Sequence, residues 1–246
     1  MKADPFVQLR LLDLQAVDTA LGQLAHKRSH LPEHAEITRL SAGLDSITGE
    51  RASAQAEVDD LDRDIKRYEG DIDQVRQRAA RNQARLDSGQ GSPKELEATQ
   101  HELTSLGRRQ AELEDTELEL MEKREAAQVV VAEVTARRDH IATELQAAAA
   151  RRDALLAEIA AEEEKKQAAR GPIALNVPAD LLALYEKIRK SSGGIGAAML
   201  RARRCEGCRL ELSGGDLARV RTAAPDEVVR CEECRRILIR TGESGL

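Results

Sequence analysis

The stretch RARRCEGCRLELSGG, residues 201–215, holds the first half of the pattern that decides the fold of the C-terminal part of this chain. Its pair Cys205 and Cys208 is matched by Cys231 and Cys234, with 22 residues between the pairs. Each Cys-x-x-Cys turn, called a knuckle below, presents two thiolates on one side, and two knuckles complete the tetrahedral four-sulfur site that zinc accepts. Because four protein ligands leave no position for water, the pattern predicts one structural Zn²⁺.

Two other uses of the cysteines are weaker alternatives. An iron site accepts the same four thiolates. A dithiol redox pair explains one Cys-x-x-Cys but not two, and no thioredoxin-like βαβ pattern surrounds either. All four cysteines fall after residue 204, and in a reducing compartment such a cluster favours metal ligands over disulfides.

Short strands are expected to flank the knuckles, as in a zinc ribbon. The intervening length suits such a ribbon, with room for one short helix. The candidate strands are residues 197–203, 227–230 and 236–240, and the candidate helix lies near 216–221.

An apolar repeat with alternating steps of three and four residues predicts that the chain before the cysteines is a coiled coil. The first series runs from Ile37 to Leu86, and the second from Leu96 to Ile159. Such a repeat keeps one seam facing a partner helix. The second series also has long polar residues in the seam, such as Arg124, whose stems can lie along apolar surface.

The segment DSGQGSP, residues 87–93, separates the two series. Two glycines and a proline do not continue a helix cheaply, and Ser92 followed by Pro93 is typical of a helix start. Because the arms on either side have similar lengths, we expect an antiparallel hairpin over residues 1–170, about 110–120 Å long. Pro32 predicts a kink in the first arm.

The hairpin is expected to end at GPIALNVP, residues 171–178. We therefore predict a linker over 171–184, which includes the start of a short amphipathic helix, and a zinc-ribbon head over 185–246. The predicted fold class is mainly α: a long antiparallel coiled-coil hairpin with a small C-terminal C4 zinc ribbon of short strands and helices.

The composition and the charge agree with this organisation. The chain has 33% charged residues, no Trp, one Phe and two Tyr, which fits long helices packed side by side rather than a globular core. Residues 1–184 carry a net charge of −10, and residues 185–246 one of +4 before any metal is counted. The first residues lack a signal peptide and no run approaches the ~20 apolar residues of a membrane span, so we expect a soluble cytoplasmic protein.

These features resemble a bacterial family in which a long coiled-coil hairpin precedes a C4-type zinc ribbon. The residues that carry the resemblance are the helix motif Tyr185-x-x-Ile188-Arg189, the glycine-containing strand 194–200, Cys205-Glu-Gly-Cys208, and Cys231-Glu-Glu-Cys234-Arg-Arg236-Ile237-Leu238. The resemblance implies a chaperone-like or regulatory protein that contacts protein partners or RNA, with some members linked to flagellar or type III secretion. Two positions depart from the family: Arg235 stands where Gly is usual and Ile239 where Tyr is usual.

The first hypothesis for the function is therefore a non-enzymatic, zinc-binding interaction or scaffold protein whose hairpin and ribbon contact a protein partner. The hairpin tip, residues 90–103, is either a plain turn, which is the favoured interpretation, or a second contact surface. The polar seam positions suit a homodimer. No nucleophile–base pair, carboxylate dyad or phosphate loop indicates an enzyme. His26, His30 and His34 have helical spacing, but we expect them to be exposed residues rather than a second metal site.

The alternative hypothesis is RNA or DNA binding by the arginine-rich head. Cations near a zinc knuckle can neutralise phosphates, and such binding weakens with salt. The candidate contact residues are Arg201, Arg203, Arg204, Arg209, Arg230, Arg235, Arg236 and Arg240. A ribbon without aromatic residues does not favour base stacking, and the acidic hairpin repels a polyanion.

Overall fold

A computed structural model describes all 246 residues. The chain is mainly helical with one small sheet, so the predicted fold class is confirmed. The helices are α1 (Pro5–Ser29), α2 (Pro32–Ser88), α3 (Pro93–Leu175), α4 (Ala179–Ser191) and α5 (Gly214–Thr222). The strands are β1 (Ala197–Arg201), β2 (Arg204–Cys205), β3 (Val229–Arg230) and β4 (Ile237–Ile239). None of the helices combines the length and the apolar character needed to cross a lipid bilayer.

The chain divides into two compact units. The hairpin unit is Ala35–Ala149, and the head unit consists of Met1–His34 together with Ala150–Leu246. The sequence instead suggested a division at residue 170, with α1 in the hairpin. The difference arises because α1 packs against strands β1 and β4 of the ribbon and shares a buried core with α4.

In the hairpin unit, the buried residues lie on the predicted seam. They are Leu40, Ile47, Val58 and Ile72 on α2, and Thr99, Leu113, Ala127, Val134 and Ala148 on α3. Interhelical ion pairs confirm the antiparallel arrangement, because Arg76 contacts Glu114 at 2.6 Å and Arg124 contacts Asp62 at 2.5 Å. The polar seam residue Arg124 thus places its charge at the edge of the seam.

The turn between the arms has the predicted helix start. Helix α2 ends at Ser88, and α3 begins at Pro93. The Ser92 amide donates to Glu95 Oε2 at 2.7 Å, while the Glu95 amide donates to Ser92 Oγ at 3.4 Å. This reciprocal capping box satisfies amides that have no partner in the first turn of a helix. Gly91 takes a φ of 135°, which only glycine adopts readily.

Two other predicted interruptions differ in outcome. Helix α1 ends at Ser29 and α2 begins at Pro32, where the proline predicted a break. At the other end, α3 continues through Gly171 and Pro172 to Leu175, over residues where we expected a linker. Tertiary packing explains this extension, because Ile173 and Ala174 pack against the core shared by α1 and α4.

The sheet of the head unit has the strand order β2-β1-β4-β3. Strands β1 and β4 are parallel, with Ala197 opposite Ile237 and Ala198 opposite Leu238, whereas the two outer pairs are antiparallel. Because successive side chains of a strand point to opposite faces, this pair separates two cores. Ala197, Ile237 and Ile239 face α1 and α4, and Ala198, Leu200 and Leu238 pack with Cys205 and Cys231.

A buried carboxylate connects three helices of the head unit. The side chain of Asp18 on α1 is 1% exposed. It accepts hydrogen bonds from Arg170 Nε of α3 and from the Tyr185 hydroxyl of α4, both at 2.7 Å. Burial alone would raise the pKa of Asp18, but the hydrogen bonds from Arg170 and Tyr185 and the charges of Arg170 and Arg189 outweigh it and hold the pKa below its usual value. Asp18 is therefore ionised at neutral pH.

We expect Asp18→Ala to lower the free energy of unfolding by about 2 kcal/mol, because it removes the acceptor of the fully buried Tyr185 hydroxyl and one of two carboxylates that pair with Arg170. The half-buried Arg170 keeps its ion pair with Glu186, which limits the loss. Urea denaturation followed by circular dichroism measures this. Since the folded-state pKa is depressed, the loss should be full at neutral pH and should shrink as the pH falls below about 4.

The matched control is Asp13→Ala on the same helix. Asp13 is exposed and pairs with Arg10 at 3.4 Å on the surface, so its removal should change the free energy of unfolding by no more than about 0.5 kcal/mol. Equal effects of the two substitutions would contradict the importance of the Asp18 cluster.

Candidate metal centre

The four cysteines converge although they come from two distant parts of the sequence. Cys205 ends β2, and Cys231 directly follows β3. All four sulfur atoms lie within 4.8 Å of one another. Cys205 Sγ is 3.8 Å from Cys234 Sγ, and Cys208 Sγ is 3.9 Å from Cys231 Sγ. The two knuckles thus contribute to a single site.

The two knuckles have the same backbone geometry. The amide of Arg209 donates to Cys205 O at 2.7 Å, and that of Arg235 donates to Cys231 O at 2.9 Å. Each knuckle is closed by a second hydrogen bond, from the first cysteine's amide to the carbonyl five residues later, at 3.0 Å in both cases. Arg209 and Arg235 have φ values of 62° and 59°. This left-handed conformation favours glycine, which explains why glycine is usual at the position of Arg235.

A third left-handed segment precedes the first knuckle. Strands β1 and β2 are joined by Ala202 and Arg203, with φ values of 43° and 65°. Neither is glycine, although a tight two-residue hairpin turn favours glycine there. The C-terminal residues hold the turn, because the amides of Ala202 and Arg203 donate to Glu243 O at 2.8 Å and Ser244 O at 2.9 Å. The end of the chain thus positions the strand that carries Cys205.

The donor set fits one zinc ion. Zinc–sulfur bonds of about 2.3 Å in a tetrahedron place neighbouring sulfurs about 3.8 Å apart, close to the cross-knuckle distances above. Without a metal, burial raises the pKa of the Cys205 and Cys231 thiols, which favours their neutral form, whereas at Cys234 burial is outweighed by hydrogen bonds, which hold the pKa below its usual value. Zinc binds cysteine as thiolate, and Cys205, Cys208, Cys231 and Cys234 fill its tetrahedral coordination. The ion is structural, and its binding contributes to folding of the ribbon.

Two of the eight candidate contact arginines support the fold from within. Arg236 donates to the carbonyls of Ser192, Ile195 and Gly207, at 2.7, 3.1 and 3.0 Å. Arg240 donates to carbonyls at the end of α5 and in the loop after it, including Ala223 O at 2.7 Å. These guanidinium groups replace missing backbone donors, so they are not available to neutralise phosphates.

The other six arginines differ in how firmly they are held. Arg201 pairs with Glu243 at 3.0 Å and Arg235 with Glu232 at 3.2 Å. Arg203 and Arg230 donate to the backbone, at Gly245 O and Arg235 O. Only Arg204 and Arg209, both exposed and both beside the first knuckle, have side chains with no hydrogen bond or ion pair. Among these six arginines, the free positive charge is therefore concentrated at that knuckle.

The second departure from the family pattern lies in the core. Ile239 is fully buried and pairs with Met199 across the parallel strands. A side chain at this position is enclosed between β4, α1 and α4, and it cannot stack on a base at the surface. The replacement of the family's Tyr by Ile239 therefore has no bearing on base stacking with a nucleic acid.

The sequence interpretation missed the residues that join α1 to the ribbon. Gln15 is buried, and its Oε1 accepts from the Gly196 amide at 2.7 Å, beside Asp18. The sequence did contain a sign of this contact. Leu11, Leu14 and Leu21 form an apolar stripe along α1, and Asp18 occupies the position between Leu14 and Leu21 where a further apolar residue was expected. A charged residue within an apolar stripe indicates a buried partner of opposite charge.

An apolar groove lies between α1 and β1, next to the first knuckle. It has a volume of about 470 Å³. Its α1 side includes Leu12, Ala16 and Ala20, and its ribbon side includes Ile195 and Met199. Glu206 of the knuckle is the only charged residue along the groove. No set of catalytic side chains faces it.

The three histidines form no metal site. The rings of His26 and His30 stack with their centroids 4.0 Å apart, and His34 Nε2 lies 3.2 Å from Arg28 O. The cysteine cluster is the only group of three or more metal-binding side chains that converge in the structure.

Comparison with known proteins identifies two domains. The model of the CT398-like coiled coil hairpin domain matches residues 14–193, and that of the C4-type zinc ribbon domain matches residues 204–238. An uncharacterised protein of Mycobacterium tuberculosis is 38% identical over 240 residues, which cover 98% of each chain. An uncharacterised protein of Mycobacterium leprae is 27% identical over 220 residues, covering 89% of this chain and 94% of its own.

Solved structures give the same result. A protein from Mycobacterium smegmatis superposes with a TM-score of 0.87 at 38% identity, covering 98% of this chain and 100% of that one. CT398 from Chlamydia trachomatis superposes with a TM-score of 0.69 at 19% identity, covering 96% and 98%, which shows a shared fold. The names of these proteins carry no link to flagellar or type III secretion, so that part of the resemblance stays a prediction.

Replacing Cys208 and Cys234 together by serine should remove the bound zinc, because two neutral hydroxyls do not replace two thiolates. Elemental analysis should give about one zinc per chain before the change and almost none after it. The control is His26→Ser with His30→Ser, which should leave the zinc content unchanged. Zinc loss in the control and retention in the cysteine variant would contradict the assignment.

Arg235→Gly should make the zinc-loaded protein more stable than Arg235→Ala by about 1 kcal/mol. Both substitutions remove the same surface ion pair with Glu232, but only glycine adopts the left-handed conformation without strain. Urea denaturation of the two variants side by side measures the difference. Equal stability would mean that the knuckle is not strained at this residue.

Proposed function

The chain belongs to the family of CT398-like coiled-coil hairpin proteins with a C4-type zinc ribbon, and from that premise we propose that it is a non-enzymatic interaction protein. The head unit binds a protein partner at the groove between α1 and β1, and zinc keeps the groove in shape. In this role the chain acts as a scaffold or a chaperone-like regulator rather than as a catalyst.

The observation that carries the proposal is the apolar groove beside the first knuckle. Ala16 is exposed and Leu12 and Ala20 are half-buried, so a partner can cover apolar surface there. Arg204 and Arg209 lie on the adjoining knuckle with free positive charges. This combination suits a protein segment that has apolar side chains followed by an acidic residue.

Two features support a role without catalysis. Four thiolates complete the zinc coordination and leave no position at which water or substrate could be activated. The matching families are a coiled-coil domain and a zinc-ribbon domain. Zinc held by four thiolates also suits a reducing compartment, so we place the protein in the cytoplasm.

Nucleic-acid binding by the head is the alternative candidate, but fewer arginines are free to contact phosphates than the sequence suggested. Of the eight candidates, Arg236 and Arg240 are committed to backbone carbonyls, and only Arg204 and Arg209 are free. Two free cations neutralise few phosphates, and each neutralised phosphate adds only modestly to affinity.

A photo-crosslinking amino acid at position 16 should capture the partner in a native lysate, because Ala16 lies in the groove. The matched control is the same amino acid at Ala42, which is exposed on α2. We expect a protein band from position 16 that resists RNase and DNase and disappears in the Cys208→Ser, Cys234→Ser variant. A crosslink that nuclease removes would instead favour the alternative, and equal crosslinking from both positions would contradict the groove as the binding site.

A further inference from the structure

The side of α3 that points away from α2 carries a charge pattern that no contact within the chain explains. This outer face, defined by Lys94, His101, Arg108, Asp115, Glu122 and Val129, repeats every seven residues, as the seam of the same helix does. All six side chains are exposed. The order along the face is positive at Lys94 and Arg108, negative at Asp115 and Glu122, and apolar at Val129.

The charges of the outer face are free. Elsewhere in the hairpin unit many charged side chains are paired, as in the Arg76–Glu114 and Arg124–Asp62 bridges. Lys94, Arg108, Asp115 and Glu122 by contrast make no hydrogen bond or ion pair in this chain. A row of unpaired charges sorted by sign, rather than mixed, is typical of a surface that meets a partner of complementary pattern.

The neighbouring residues of α3 reinforce the acidic half of this pattern and leave the other half close to neutral. Residues 110–125 contain seven acidic and two basic residues, whereas residues 94–109 contain three basic and three acidic residues together with His101. Leu118, within the acidic segment, is 59% exposed, and Val129 beyond it is 58% exposed. Gly107 and Ala111 lie near the boundary of the two segments, and both are exposed. Such small residues let another helix approach closely.

We propose that the outer face of α3 binds the same face of a second copy of this chain, antiparallel about a two-fold axis near residue 111. In this arrangement Arg108 of each copy lies at the height of Asp115 of the other, and the segment with Lys94 and His101 lies beside that with Glu122 and Val129. The pattern is its own complement, as a closed two-fold interface requires. The contact extends over about 50 Å of helix, from Lys94 to Val129.

A second copy fits this face better than an unrelated partner does. An acidic partner would pair with Lys94 and Arg108 only, and a basic one with Asp115 and Glu122 only. An antiparallel copy pairs Arg108 with Asp115 twice and sets His101 beside Glu122. It covers Leu118 and Val129 at the same time. The pairing is independent of the protein partner proposed above, since the groove of the head unit takes no part in it.

Charge reversal with a compensating swap tests the proposal on the full-length, zinc-loaded chain. Arg108→Glu alone and Asp115→Arg alone each place like charges opposite one another twice per dimer. We expect each to raise the dissociation constant of the dimer about tenfold at ~50 mM salt, measured by sedimentation equilibrium. The double variant Arg108→Glu, Asp115→Arg restores opposite charges across the axis and should return the constant to within about threefold of its original value.

Arg39→Glu is the control, because Arg39 is an exposed cation of the hairpin unit outside the outer face. It should leave the dissociation constant unchanged, and circular dichroism should show all variants equally helical. The proposal is overturned if the chain is monomeric at ~100 µM and ~50 mM salt, if the single variants dimerise as well as the original, or if the double variant does not recover. Binding of an acidic or basic protein to this face of a monomer would also overturn it.

Discussion

The parallel pairing of β1 with β4 is the contact on which the rest of the head unit depends. Parallel strands cannot be joined by a tight turn, so the chain must leave β1 and return to β4 by a long crossover. That crossover contains the first knuckle, α5 and the second knuckle in turn. When Ala197 pairs with Ile237, the two knuckles, which adjoin the outer strands β2 and β3, are brought together, and the four cysteines form one candidate metal site. Zinc and strand pairing therefore stabilise each other.

The pair of strands β1 and β4 separates the zinc knuckles on one face from the helices α1 and α4 on the other. One face packs with the knuckles, where zinc satisfies the buried thiolates. The other face packs on α1 and α4, where Asp18 and Gln15 bind polar groups that would otherwise be buried without partners. Gly196 lies between them, and a Cβ atom there would come within 2.6 Å of the Tyr185 carbonyl oxygen. Glycine at this position therefore allows the start of β1 to lie close to α4.

These constraints explain why two of the candidate contact arginines are hydrogen-bonded within the ribbon. A ribbon of this size has few regular hydrogen bonds, so Arg236 and Arg240 supply donors to carbonyls that no strand or helix satisfies. The surfaces that we propose for partners are the apolar groove, the free cations of the first knuckle, and the outer face of α3. The hairpin buries one seam and leaves the opposite column exposed. The residues of this outer face do not pack within the hairpin, so their charges can serve association with a second copy.

The sequence alone determined the features that rest on local spacing. The Cys-x-x-Cys pairs specified the metal ligands, the three-four apolar repeat specified the seam from Leu40 to Ala148, and Ser92-Pro93 specified the second helix start. It did not determine that α1 belongs with the ribbon, that α3 continues through Pro172, or that Asp18 is buried against Arg170 and Tyr185. Those outcomes depend on contacts between residues more than 150 positions apart, and a periodicity measured along one helix contains no information about which distant surface will cover it. Tertiary structure likewise decided which arginines are free, because hydrogen bonds to distant carbonyls, rather than residue type, occupy the half-buried side chains of Arg236 and Arg240.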